Sequence, residues 1–422
     1  MGRIYYSLYD RMLHKKRLEQ AFVKVKSNAG AAGNDGQSVR DFASQLPQEI
    51  DHLLHELKEK SYRPQPVRRV EITKPDGGIR KLGIPAVRDR VVQQALLDIL
   101  QPIYDPHFHP SSYGYRPGRS SHQAIAKASL FIRRYQLKWA VDMDLSKCFD
   151  TLDHDLIIRQ FRTRIKDGSI LGLIRLILQS GIMTQDGWQE SRLGSPQGGV
   201  ISPLIANVYL DAFDYHMKNR GHRIVRYADD ILILCRSKKG AQNAYAVACN
   251  YLEKELRLEV NEQKSHIVHS RNGVNYLGVT IDSRHTRIQA DKVRKFKDKI
   301  KRITRRNSPV NLNQVIKDLN PVLRGFANYF RIAHCRRQFQ ELASWIRRRL
   351  RAKQLKLWKK PQKLHRRLRQ LGYQGEFKAI KMQSWRNAAS ALANYAMPNS
   401  WFEELGLFDL SRVRTGYLPQ NY

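Results

Sequence analysis

The sequence predicts an α+β protein in which a mixed helix and strand region, up to about residue 285, is followed by an all-helical, strongly basic one. Three observations predict it. Short apolar or alternating runs recur before residue 285, bounded by turns rich in Gly and Pro. Longer segments between them repeat apolar residues at the helical period. After residue 285 the period stays helical while Lys and Arg crowd the chain. A length of 422 residues exceeds a single compact core and implies two to four modules.

In chain order, helical periodicity covers about 5–27, 41–60 and 87–101. The last of these starts after Pro85 and places Val91, Val92, Ala95, Leu96, Ile99 and Leu100 on one broad face. Between the second and third, the runs 70–73 and 79–83 flank Lys-Pro-Asp-Gly-Gly at 74–78, the pattern of a hairpin with turn residues at its tip. The stretch 139–145 alternates, with Val141 and Met143 on one side and Asp142 and Asp144 on the other. Two short apolar strands, 223–226 and 231–235, enclose Tyr-Ala-Asp-Asp at 227–230. A module boundary is expected near 283–291.

The charge balance narrows the function. Seventy-five Lys and Arg face 38 Asp and Glu, a net charge of +37. Between Lys292 and Arg369 stand 26 Lys and Arg and three acids, Asp298, Asp318 and Glu341, so +23 is confined to 78 residues. Such an excess opposes folding by self-repulsion unless a polyanion neutralises it, and nucleic acid is the polyanion expected. No apolar run of 18 residues suggests a membrane span. The first residues lack a secretory core, and Tyr6 stands where myristoylation wants Ser or Thr. Cys148, Cys235, Cys249 and Cys335 are scattered without a C-x-x-C pair, which argues against zinc or disulfides and fits a reducing cytoplasm.

The chemistry-bearing residues are carboxylates. Asp144 ends one strand, and Asp229 and Asp230 occupy a turn 85 residues later. Unpaired carboxylates between apolar strands are expensive, and a bound cation removes the expense. On the residues alone, an ordinary acidic turn and a metal site both remain open.

The motifs resemble a known family. Tyr-Ala-Asp-Asp at 227–230 is similar to the Y-x-D-D box of reverse transcriptases, and Asp-Leu-Ser-Lys-Cys-Phe-Asp at 144–150 to their D-x-x-x-x-[FY]-D motif. Gly-Ser-Pro-Gln-Gly-Gly-Val-Ile-Ser-Pro at 194–203 resembles the P-Q-G-G-x-x-S-P segment of the enzymes encoded by bacterial group II introns. So do Lys-Leu-Gly-Ile-Pro at 81–85, Ser-Tyr-Gly-Tyr-Arg-Pro-Gly-Arg at 112–119, Asn-Glu-Gln-Lys-Ser at 261–265 and Tyr-Leu-Gly at 276–278. The blocks fall in the family's order from about residue 20 to the end of the chain.

The resemblance implies a right-hand polymerase: fingers and a palm with an antiparallel sheet, then an all-α thumb or maturase domain and a small basic tail. The corresponding segments are an N-terminal extension with an RNA-binding loop (1–60), fingers and palm (61–285), thumb and maturase domain (286–360) and a DNA-binding region (361–422), without the family's optional endonuclease. It implies two Mg2+ ions held by Asp144, Asp229, Asp230 and the backbone carbonyl of Leu145. Phe149 would exclude a ribose 2′-hydroxyl, Lys74 and Arg80 would grip the triphosphate, and Gln197 would line the nucleotide pocket. Lys264 would approach the nucleotide, while Asp142 and Asp150 would play supporting parts. The Gly-rich stretch 28–36 resembles a loop that lids the template. In the basic region, Arg347, Arg348, Arg349 and Arg351 would meet phosphates, with a steep salt dependence.

The implied partners are group II intron RNA, an RNA template with a DNA primer, target DNA and dNTPs. No membrane is implied, and a monomer or homodimer would work in the bacterial cytoplasm. The activity implied is RNA-directed DNA synthesis, coupled to splicing and retrohoming of an intron. Other readings are a domesticated relative serving DNA repair or phage defence, a splicing-only RNA-binding protein, and an RNA-dependent RNA polymerase. The intact aspartates argue against the splicing-only reading, and Phe149 against an RNA polymerase.

Overall fold

The computed structural model describes residues 3–73, 77–184 and 187–421. The chain divides into two compact units, 1–269 and 270–421. The charge pattern changes somewhat later, near 283–291, because the first residues of the second unit form a small sheet before the basic helices begin.

Among the described residues, eight strands belong to the first unit: β1 (Val67–Thr73), β2 (Ile79–Ile84), β3 (Trp139–Met143), β4 (Ile182–Thr184), β5 (Gly187–Gln189), β6 (Arg223–Tyr227), β7 (Asp230–Cys235) and β8 (His266–His269). They form two four-stranded sheets, β2-β1-β4-β5 and β6-β7-β3-β8. The first is the fingers sheet, whose β1 and β2 pair antiparallel from Arg68 opposite Ile84 to Thr73 opposite Ile79. A short parallel pairing, with Val67 opposite Ile182, joins β1 to β4. The second is the palm sheet, antiparallel throughout. Of its interior strands, β3 buries Val141 and Met143 as the alternation predicted, while the apolar run of β7 is buried throughout from Ile231 to Cys235, against helices that include Ser202–Asn219 and Lys238–Asn250.

Three helices were expected in the first hundred residues, and their boundaries differ in informative ways. The segment 5–27 is not continuous. A single 3-10 turn, Tyr9–Met12, precedes the helix Lys15–Ser27. Before it the chain is extended, because Tyr5 donates its amide to the Arg164 carbonyl at 2.9 Å and Asp167 accepts the amides of Leu8 and Tyr9 at 2.7 and 2.8 Å. Tertiary hydrogen bonds here outcompete helical propensity. The segment 41–60 divides into Val39–Ser44 and Leu46–Lys58: Ser38 and Asp41 form a capping box on the first, and Pro47 starts the second. The helix Val87–Tyr104 follows prediction and is buried along most of its length.

The second unit opens with a three-stranded antiparallel sheet: β9 (Val274–Tyr276), β10 (Val279–Ile281) and β11 (Thr286–Ile288). Helices Ala290–Ile303, Leu312–Phe330, Arg336–Trp358 and Pro361–Gln370 follow. Their apolar faces meet around Phe296 and Phe326, stacked with ring centroids 3.8 Å apart, and around the buried Phe339 and Ile346. The tail from 371 onward is mostly irregular, with short helices Ala391–Ala396 and Asn399–Glu404.

Candidate active site

Strands β6 and β7 form a hairpin closed by the pair Tyr227 and Asp230, so Ala228 and Asp229 are the two turn residues. Ala228 has φ of 60°, the left-handed region that a side chain rarely adopts, at a cost of about 1–3 kcal/mol. The surrounding structure enforces it. Arg226 Nη1 donates to the Ala228 carbonyl at 2.9 Å and to Asn207 Oδ1 at 3.1 Å. The rest of that guanidinium grips Asp214, with Nη2 2.7 Å from Oδ2 and both side chains wholly buried. Gly114 packs against the turn so closely that a Cβ there would come within 2.2 Å of the Ala228 amide nitrogen.

The neighbouring strand supplies the third aspartate. Met143 of β3 pairs with Ile231 of β7, so one residue further along this register Asp144 lies beside Asp230. Cross-strand neighbours in an antiparallel ladder have Cα atoms about 5 Å apart, so the 85 intervening residues close in space. On its other side Asp144 is fixed by the segment leading into β8. Its carbonyl accepts the Asn261 amide at 2.9 Å, and its amide donates to Ser265 Oγ at 3.1 Å. Leu145 bridges Val260 through the Asp144 carbonyl and the Ser146 amide, which leaves the carbonyl of Leu145 out of that ladder.

The electrostatics follow from crowding. Burial pushes Asp230 up to about 7, and the charges of Asp142, Asp229 and Asp144 add to the shift. Asp229 is raised by burial and by Asp144, and Asp142 is raised to about 6 mainly by burial, with His266 3.8 Å away opposing the shift. Lys264 Nζ stands 3.5 Å from Asp144 Oδ2. Among the described residues, no three His, Cys, Asp or Glu side chains are gathered tightly enough to enclose a metal ion by themselves. The donor chemistry still fits a hard divalent cation, which commonly takes one or two carboxylates and completes its shell with substrate phosphates and water. Buried carboxylates that repel one another are a fitting half of such a site.

Beside the aspartates lies the cleft expected to take a nucleotide. Phe149 is buried at the start of the short helix Cys148–Thr151, its carbonyl accepting the Ser195 amide at 2.7 Å and its ring edge-on to Tyr115 at 6.3 Å. Arg80 of β2 donates from Nε to Gln197 Oε1 at 3.2 Å, and the Gln197 carbonyl accepts the Gly83 amide at 2.8 Å. Gly198, at φ 123°, approaches so near that a Cβ would meet the Gly83 carbonyl oxygen at 2.6 Å. Arg80, Gln197 and Phe149 are thereby linked to one loop. Lys74 lies outside the described residues. Asp150 is raised by burial, with Arg69, Lys147, Lys81 and Arg80 opposing the shift. The loop 28–36 is pinned by Arg68 and Arg90, which donate to the carbonyls of Ala32 and Ala31 at 2.8 and 2.7 Å.

All four arginines of the basic helix make contacts within the second unit, Arg348 donating to the Trp385 carbonyl at 3.4 Å and Arg349 to Thr304 Oγ1 at 2.6 Å. Arg351 is buried, donating to the Met397 carbonyl and to Asn399 Oδ1 at 2.9 and 3.0 Å and lying over Phe402. Arg347 pairs with Asp409 at 3.4 Å. Those two fasten the tail to the helix, and Arg351, being buried, is turned away from solvent. Arg348 and Arg349 are half-buried around Trp385, with guanidinium carbons 4.6 and 5.8 Å from its ring centroid.

The palm sheet, its aspartate turn and the adjoining cleft have the arrangement of a nucleotide-polymerising enzyme. Residues 72–281 match the model of the reverse transcriptase (RNA-dependent DNA polymerase) family, and 293–372 that of the group II intron maturase-specific domain. The chain belongs to the reverse transcriptases, RNA-directed DNA polymerases that depend on a divalent metal, in the branch carrying the group II intron maturase domain. Protein YkfC of Escherichia coli is 33% identical over 298 residues, covering 62% of this chain and 78% of that protein. The group II intron-encoded protein LtrA of Lactococcus lactis is 28% identical over 353 residues, covering 68% of this chain and 58% of LtrA. The uncharacterized 91 kDa protein in the cob intron of Schizosaccharomyces pombe is 35% identical over 217 residues, half of this chain and 26% of that protein. A partial Cas6-RT-Cas1–Cas2 complex gives a TM-score of 0.39 at 24% identity, over 59% of this chain and 43% of that one.

Proposed function

We propose that this chain copies RNA into DNA at the β3 and β6–β7 aspartates and serves a group II intron as maturase in splicing and retrohoming. The observation that carries the reading is the palm register, which sets Asp144 beside the Asp229–Asp230 turn. Two Mg2+ ions would be held by Asp144, Asp229, Asp230 and the Leu145 carbonyl. Bound there, they would lower the pKa of the primer 3′-hydroxyl and neutralise charge on the departing pyrophosphate. The protein's own residues would do the rest. Arg80, with Lys74, would bind the triphosphate through charge-assisted hydrogen bonds. Gln197, held by Arg80 and Gly83, would line the base and sugar pocket. Phe149 would sit under the deoxyribose, and its ring would leave no room for a 2′-hydroxyl.

The second unit would grip the primer–template duplex and intron RNA through its basic helix, on which Arg347, Arg348 and Arg349 are half-buried and Arg351 is buried. No helix among the described residues is long and apolar enough to cross a membrane, and the proposed place of work is the bacterial cytoplasm.

Primer extension on poly(rA)/oligo(dT) with dTTP and Mg2+ tests the polymerase. Extension that EDTA abolishes is expected. Failure to extend under conditions where the chain binds RNA would favour a splicing-only protein. The intron role is tested by splicing of the RNA that flanks the coding locus, with and without the protein.

A further inference from the structure

Tyr115, in the motif at 112–119, holds a backbone conformation that an aromatic residue rarely adopts. Its φ is 57°, in the left-handed region where a Cβ crowds the carbonyl that follows. Strain of this kind persists only where the surrounding structure enforces it, and it gathers at functional positions. Both flanks of Tyr115 are enforced. On one side the Tyr113 amide donates to the Arg226 carbonyl at 2.9 Å, and the Gly114 carbonyl accepts Asn207 Nδ2 at 2.9 Å. On the other, Arg116 is buried, with Nε on Asp105 Oδ1 at 2.8 Å and Nη1 on the Ser112 carbonyl at 2.9 Å. Between these two anchors Tyr115 is 48% exposed.

The strained backbone therefore does not serve to bury the ring. It aims the side chain at the nucleotide cleft. The ring stands edge-on to Phe149, with centroids 6.3 Å apart. Partial burial raises the phenol above its usual range, the charge of Asp229 adds to the shift and that of Arg80 opposes it. The hydroxyl is thus near enough to feel both the aspartate turn of the palm sheet and the arginine of β2. It makes no hydrogen bond among the described residues. A phenol can donate one hydrogen bond and accept others. A triphosphate drawn to Arg80 brings acceptor oxygens toward that hydroxyl, and the exposed ring beside Phe149 offers apolar surface to a sugar. An aromatic with a polar tip suits a ligand that is apolar at one end and charged at the other.

We infer that Tyr115 is a further nucleotide-binding residue that helps set the choice of sugar: its ring walls the deoxyribose pocket beside Phe149, and its hydroxyl donates to the triphosphate beside Arg80. The inference deepens the polymerase reading and rests on it.

The test uses the full chain on poly(rA)/oligo(dT) whose primer ends in a dideoxynucleotide, so that nucleotide binds without reacting. Kd values for dTTP and for UTP are measured with Mg2+ for wild type, Tyr115→Phe and Tyr115→Gly, beside extension of an ordinary primer by wild type. Tyr115→Phe keeps the ring and is expected to weaken both nucleotides alike, by about 3- to 10-fold, the loss of one hydrogen bond. Tyr115→Gly takes φ 57° without strain, so the backbone keeps its path while the wall is removed. In that variant the ratio of the UTP Kd to the dTTP Kd is expected to fall by about tenfold. A ring that only props the turn would move neither the Phe variant nor the sugar ratio. Kd values within about twofold of wild type in both variants, with an unchanged ratio and a wild type that extends primers, would overturn the inference and leave the polymerase reading standing. Wild-type affinity in Tyr115→Phe with a lost sugar preference in Tyr115→Gly would keep the ring and overturn the hydroxyl contact. A wild type that neither extends primers nor binds either nucleotide would sink the polymerase reading, and the role of Tyr115 with it.

Discussion

The ammonium of Lys264 stands 3.5 Å from Asp144 Oδ2, while the next residue, Ser265, takes the Asp144 amide on its hydroxyl at 3.1 Å. One short segment thus fixes the backbone of a candidate active-site aspartate and lays a cation over its carboxylate. Both side chains are well exposed, so the ion pair itself contributes about 1 kcal/mol or less. If Lys264 instead meets the incoming triphosphate, Lys264→Ala raises the KM for dNTP about 3- to 10-fold and leaves kcat within about twofold. Steady-state extension kinetics decide it. A fall in kcat at constant KM would assign Lys264 to the chemical step.

Asp229→Ala is expected to lower synthesis by about three orders of magnitude or more while RNA affinity stays near wild type. Asp229 sits in a two-residue turn, half-buried and without an ion pair within 4 Å among the described residues, so its side chain supports little of the fold. Filter binding of RNA beside primer extension separates the cases. Joint loss of both would point to misfolding.

The buried pair behind the turn makes a sharper structural prediction. Asp214→Ala leaves the Arg226 guanidinium charged and uncompensated at zero exposure, and is expected to destabilise the protein by about 3–5 kcal/mol. Replacing both, as Asp214→Leu with Arg226→Met, restores much of that stability. Activity does not return with it, because the Ala228 carbonyl and Asn207 lose their donor and the strained turn relaxes. Denaturation midpoints and extension rates for the two variants give the comparison. A double variant as active as wild type would show that Arg226 serves the core alone.

Phe149→Ala opens the space against which the Tyr115 ring packs and is expected to raise incorporation of rNTP relative to dNTP by at least about tenfold. Competition between UTP and dTTP on the same duplex measures it. Unchanged discrimination would leave Phe149 as a core aromatic.

Much of this site was legible because its residues lie in local patterns. The alternation at 139–145 and the two apolar runs around Tyr227 to Asp230 are periodicities within single strands, and β3, β6 and β7 follow them. What the sequence hid depends on distant partners. Arg226 interrupts an apolar strand, a visible signal, but nothing local says that Asp214 and Asn207 of the preceding helix would surround it. The close approach of Gly114 to Ala228 likewise exists only once 112–114 lies beside β6. The helix expected from residue 5 fails because Asp167, more than 150 residues away, captures the Leu8 and Tyr9 amides. Arg351 looks like its neighbours in sequence, yet its position on the helix turns it onto Phe402.

The carboxylate cluster predicts a pH dependence whose sign is set by burial. Asp230 rises from 3.8 to about 7 in the folded protein, chiefly through burial, with Asp142, Asp229 and Asp144 adding to it. A raised carboxylate binds its proton more tightly folded than unfolded. The stability it contributes is full below about pH 4 and is lost as pH rises through about 7. Metal-free enzyme should therefore unfold at a lower midpoint at pH 8 than at pH 6, and Asp230→Asn should flatten that part of the slope. Mg2+ reverses the preference, because the cation requires the deprotonated carboxylates and displaces the proton. Thermal unfolding of wild type and Asp230→Asn at the two pH values, with EDTA or with Mg2+, measures both effects. Identical slopes for the two proteins in EDTA would show that Asp230 is already ionised at neutral pH, and that burial does not raise it in the folded protein.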